Sequence, residues 1–118
     1  MMPRVLQVLE HGEPHLYDVG VDDLDRMREL IGGGWLEAIY GPDWCAFLDE
    51  EGKLKGLRPN TAAEAVARTC GWQGDWRDYL AGPVVFVGPP NVAGDFTDVP
   101  DHVLAYFAGH PNIADPDS

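Results

Sequence analysis

The run Gly82-Pro-Val-Val-Phe-Val-Gly88 constrains this chain more than any other segment. It is continuously apolar, rich in β-branched side chains and closed at both ends by turn residues. Such a run has no polar face to turn toward water, so it reads as a central strand buried on both faces. A strand of that kind needs further strands beside it and helices packed against the sheet.

The rest of the chain supplies them. Arg4-Val-Leu-Gln-Val-Leu-Glu10 reads as a strand, Gly12-Glu13-Pro14 as a turn, and His15-Leu-Tyr-Asp-Val19 as the returning strand. Val21, Leu24, Met27, Leu30 and Ile31 fall at helical spacing, which predicts a helix from Asp22 to Ile31 with Asp22 or Asp23 as its cap. Gly32-Gly33-Gly34 ends it. Trp35–Tyr40 and Trp44–Leu48 form a hairpin around Gly41-Pro42-Asp43. Asp49-Glu-Glu-Gly52 is a turn, and Lys53-Leu-Lys-Gly-Leu57 an extended piece. Thr61-Ala-Ala-Glu64 has capping-box spacing, which places a second helix from about Thr61 to Cys70. A last helix runs from about Pro100 to Ala108. The order is ββαββαβα: an α+β fold with a mixed or mainly antiparallel sheet of about five strands and about three helices. One compact domain is expected over residues 1–109, with a polar, proline-punctuated tail over 110–118 that frays.

Composition narrows the function classes. The chain has 118 residues and a formal net charge of −12. Such a charge repels nucleic acid backbones and anionic membranes, so no direct nucleic-acid or membrane partner is expected. No secretory signal and no transmembrane run is visible, and a cytoplasmic location is expected. The two cysteines, Cys45 and Cys70, lack the spacing of a zinc site and read as structural thiols. No catalytic motif, metal site or cofactor-binding loop is present. His11, His15, His102 and His110 read as ordinary surface histidines. Trp35 and Trp44 read as core or sheet-face residues. Trp72 and Trp76 lie in an irregular stretch suited to packing or to a stacking platform.

One charge contrast stands out. Of eight basic residues, three (Lys53, Lys55 and Arg58) lie together just ahead of Asn60 and Thr61 at the predicted start of the second helix. A helix N-terminus offers free N–H donors and partial positive charge, so these five residues form a candidate anion site. The two lysines equally suit a surface hairpin that discourages edge-strand pairing. Alanine at the site residues is expected to leave stability almost unchanged. Glu37, facing away from Leu36 in its strand, completes the candidate ligand-binding set. Acidic residues dominate after Arg77, which suits a basic protein partner or a mimic of DNA.

The segments Gly34-Trp-Leu-Glu37, Asp49-Glu-Glu-Gly-Lys-Leu-Lys-Gly-Leu-Arg-Pro-Asn60, Gly82–Gly88 and Gly94-Asp-Phe-Thr-Asp98 resemble the domain-of-unknown-function family numbered 3846. The resemblance runs from about Arg4 to Ala108. It implies a phage or phage-derived accessory protein and carries no reaction with it. It draws attention to Glu37, Gly52, Lys53 and Asn60, which fall on its motif. The expected function is a binding protein that captures a host factor, either a host protein or an anionic, phosphorylated small molecule. The alternatives are an acidic DNA mimic that occupies a DNA-binding protein, and an enzyme acting on a nucleotide-like ligand.

Overall fold

In the computed structural model, which describes residues 2–111 and 113, the apolar run becomes β5 (Val84–Val87), the middle strand of a five-stranded sheet. The other strands are β1 (Arg4–Val8), β2 (Pro14–Asp18), β3 (Leu36–Tyr40) and β4 (Cys45–Asp49), in the spatial order β2-β1-β5-β4-β3. Every neighbouring pair is antiparallel. The helices are α1 (Leu24–Leu30), α2 (Thr61–Thr69) and α3 (Asp101–Leu104), the last continued by a 3-10 turn over Ala105–Phe107. The element order and class therefore follow the sequence reading, and the sheet is wholly antiparallel.

All four residues of β5 are 0 % exposed. Because side chains alternate along a strand, they divide between two cores. Val84 and Phe86 join Leu6, Val8, Trp44 and Ala46 under α2 and α3, where Ala63, Val66, Val103 and Leu104 close the layer. Val85 and Val87 face the other way with Val5, Met27, Leu30 and Ile31 of the α1 layer. Gln7, buried on the α1 side, donates from Nε2 to the Leu30 carbonyl at 2.8 Å and so ties β1 to the end of α1. Ile113, in the segment expected to fray, is buried in the α2/α3 core; Asn112 and residues 114–118 lie outside the described residues.

Local details differ from expectation in three places. Asp23 caps α1, its side chain accepting from the Arg26 N–H, but Leu24 at the first helical position is 59 % exposed and leaves the expected apolar face. The second helix is capped by Asn60, whose Oδ1 accepts from the Ala63 N–H at 3.0 Å; Thr61 is the first helical residue, so the capping box is set one position too late. Residues 50–56 form successive turns, with Lys55 N–H donating to the Glu51 carbonyl and Gly56 N–H to that of Lys53. No extended piece exists there.

Candidate functional site

The glycine triplet and the turns after β4 form one unit. Gly32 and Gly33 have φ of +96° and +93°, backbone that only glycine adopts freely. Gly34 is needed for space instead: a Cβ there would lie 2.2 Å from the Asp49 carboxylate. Asp49, 4 % exposed, accepts from the Glu51 N–H at 2.9 Å and from Lys55 Nζ at 2.7 Å. Burial pushes its carboxyl upward, but the Lys55 ammonium and the Glu51 N–H outweigh that and hold it below the ordinary carboxylate value.

The residues expected to bind a ligand are distributed by this architecture. Asn60 is 0 % exposed. Its Nδ2 donates to the Val8 and Gly82 carbonyls at 2.8 and 3.0 Å while Oδ1 caps α2. The amide clamps β1, α2 and the entry to β5, and none of its surface is open to solvent. Lys55 neutralises Asp49. Lys53 pairs with Asp78 and lies over the Tyr79 ring, 4.7 Å from its centroid; its hydrogen bond holds the Asp78 carboxyl below the ordinary value. Arg58 and Thr61 are exposed at the start of α2. Lys53 and Lys55 therefore answer acids of this chain at separate places, Arg58 stays exposed, and the α2 N-terminus is capped from within.

Glu37 is exposed on β3. It shares a small cleft of about 60 Å³ with Lys53, where Asp49, Glu50 and Asp78 supply three further carboxyl groups. That cleft is acidic in balance and far below the roughly 300 Å³ at which small-molecule pockets begin.

A larger concavity lies on the opposite face of β3. α1 has only seven residues, and the side chains it helps bury completely come mainly from β1 and β5. Leu36, Ala38 and Phe47 on the β3–β4 side remain only partly buried, as does Phe96. The uncovered strip is a groove of about 280 Å³ whose walls include Leu24, Leu36, Tyr40, Phe47 and Phe96. It continues past Leu24 and Leu36 into a depression of about 410 Å³ bordered by Trp35, Asp25, Arg28 and Glu50. Leu24, Trp35 and Tyr40 are 59 %, 63 % and 64 % exposed. Of the two tryptophans read as core or sheet-face residues, Trp35 lies outside the core, just ahead of β3, whereas Trp44 is buried and donates from Nε1 to the Cys70 carbonyl at 2.9 Å. Arg28 donates to the Gly34 carbonyl at 2.9 Å and stacks on Trp35 at 4.5 Å. Asp25, Glu50 and Asp95 make the border of the two depressions acidic. Sequence reasoning missed this groove because its residue types are those of a core, and only the shortness of α1 leaves them uncovered.

The fold also aligns Cys70, His102 and Asp43. His102 Nε2 lies 2.7 Å from Asp43 Oδ2, and its Nδ1 4.0 Å from Cys70 Sγ. The order matches a nucleophile, base and orienting acid. The electrostatics oppose that chemistry. Burial and the nearby Asp43 charge raise the Cys70 thiol above its ordinary value despite a hydrogen bond with Tyr106. Cys70 also ends α2, where the helix dipole disfavours a thiolate. The N–H groups of Cys70, Gly71 and Trp72 all donate to α2 carbonyls and so offer no oxyanion hole. Among the described residues no cluster of His, Cys, Asp and Glu could hold a metal ion, and no helix is long and apolar enough to cross a membrane.

No curated protein and no solved structure matches this chain. A family match, described as "Domain of unknown function (DUF3846)", covers residues 3–111. It spans the whole sheet, the three helices and the Gly34–Asp49–Asn60 framework, and the chain belongs to that family.

Proposed function

We propose that the protein is a non-enzymatic binding module whose target is a basic protein, engaged through the apolar groove between α1 and β3. One observation carries the reading: three large apolar side chains, Leu24, Trp35 and Tyr40, stand exposed beside one groove on a chain of net charge −12. Contiguous exposed apolar surface with a polar rim favours protein association. The acidic rim and the acidic body favour a cationic partner and speed its approach. The small-anion reading loses support because Lys53 and Lys55 are paired internally and Asn60 is buried. We take the target to be a host protein and the role to be an accessory one during infection, as the resemblance noted in the sequence implies.

The test is site-specific photo-crosslinking in host extract. A photoreactive residue at Tyr40, in the groove, should capture a discrete basic protein, and the yield should fall as salt rises. The same residue at Leu54, 88 % exposed on the 50–56 turns, should capture none. Equal capture at both positions, or a thermal shift with nucleotides and none with proteins, would overturn the reading.

A further inference from the structure

The two edges of the sheet are not equivalent. Gly41 N–H donates to the Trp44 carbonyl at 3.0 Å and Glu50 N–H to that of Trp35 at 2.9 Å. Residues of an antiparallel ladder bond to their neighbour alternately. Glu37 and Ile39 are therefore the β3 residues bonded to β4, while Leu36, Ala38 and Tyr40 direct their N–H and C=O groups outward. β3 ends the strand order and pairs with β4 in unbroken register. Its outward-bonding residues Leu36, Ala38 and Tyr40 are neither proline nor charged, and it has no bulge, so the usual devices that blunt an edge are missing from them. At the other edge, the bonds Leu9 N–H to Glu13 and Val19 N–H to Pro3 make Pro14, Leu16 and Asp18 the outward residues of β2. There Pro14 has no N–H to offer and Asp18 carries a charge.

The open edge has different chemistry above and below it. On the α1 side, Leu36 and Tyr40 border the apolar groove. On the other side, Glu37 lines the cleft with Glu50, which also reaches the α1-side depression, and with Asp78, which is paired with Lys53. Glu37 and Glu50 have no ion-pair partner among the described residues. Building on the proposed binding of a basic protein, we infer that β3 is a strand-addition site for an extended segment of alternating apolar and cationic side chains. The outward amides of Leu36, Ala38 and Tyr40 pair with its backbone. Its apolar side chains enter the groove, and its Lys or Arg side chains fall on the Glu37 and Glu50 side, because successive residues of a strand point to opposite faces. A second copy of this chain is a poor occupant, since it brings the same charge of −12 and a second Glu37 to the edge.

The probe is a nonapeptide of alternating Val and Lys, compared with a peptide of the same composition in block order and with alternating Val and Glu. Amide exchange by NMR should slow at least tenfold at Leu36, Ala38 and Tyr40 with the Val/Lys peptide alone, and stay unchanged at Leu16 and Asp18. Ala38→Pro removes an N–H that β4 does not use, so this variant should keep the parent melting temperature and lose at least tenfold in peptide affinity. Glu37→Lys with Glu50→Lys should shift preference to the Val/Glu peptide. Unchanged affinity of a folded Ala38→Pro, equal binding of the block peptide, or self-association through β3 would overturn the inference. Peptide binding that shifts Leu24 and Tyr40 without edge protection would sink strand addition and leave the groove reading standing. Absence of both peptide binding and Tyr40 crosslinking would remove both.

Discussion

The turn region from Asp49 to Asn60 and the groove between α1 and β3 lie on either side of the same hairpin, yet they handle their side chains in opposite ways. In the turn region most of the charged and polar motif groups are engaged: Asp49 by Lys55, Lys53 by Asp78, Asn60 by two carbonyls and one N–H. In the groove, large apolar groups that could be buried stand open to solvent. The contrast separates residues that hold the fold from residues available to a partner. A recognisable motif here reports the first kind.

Breaking the turn region should cost stability and leave the groove chemistry intact. The largest effect is expected from Asn60→Ala. It strands the Val8 and Gly82 carbonyls and the Ala63 N–H inside the protein, at a cost of about 3 kcal/mol or more by chemical denaturation. A loss below 1 kcal/mol would refute the clamp. This reverses the expectation that alanine is harmless at position 60, and the reason is burial.

Gly34→Ala comes next. The added methyl overlaps the Asp49 carboxylate, and displacing it should destabilise by about 1–3 kcal/mol. A thermal melt identical to the parent's would mean that Asp49 moves aside freely.

Asp49→Asn should cost about 1–2 kcal/mol at neutral pH, because it weakens the hydrogen bond from Lys55. It should also change the acid limb. The folded-state pKa of Asp49 is depressed, so its stabilisation is fully present above the unfolded value of about 3.9. That contribution is lost as pH falls through the lower folded value. Asp78 behaves in the same sense. Melting temperature against pH should therefore fall less steeply below pH 4 in the variant than in the parent. Equal slopes would show that the pair contributes nothing.

Lys53→Ala removes a pair in which both side chains are more than 40 % exposed, so solvent screening limits the loss to about 1 kcal/mol or less. The smallest effect on stability belongs to the groove. Leu24→Ser with Tyr40→Ser changes exposed positions and should stay within about 0.5 kcal/mol of the parent per site, while crosslinking from a photoreactive residue at Trp35 falls to background. A large loss of stability would mean that the groove wall belongs to the core after all.

The sequence alone determined the order of elements and the place of β5, because an unbroken apolar run between turn residues leaves a strand no solvent side and helical spacing marks the remaining cover. It also drew attention to Glu37, Gly52, Lys53 and Asn60, without revealing what each does and without marking Gly34 or Asp49. Only the tertiary structure decided that Lys53 and Lys55 meet acids 25 and 6 residues away, that Asn60 turns inward, and that Trp35 turns outward. The physical reason is the same throughout. Periodicity and propensity are local, whereas ion pairing, burial and the uncovered strip beside α1 depend on which distant segments arrive at the same place. A helix of seven residues cannot cover a sheet of five strands, and that mismatch leaves core-type side chains of β3 and α1 facing solvent.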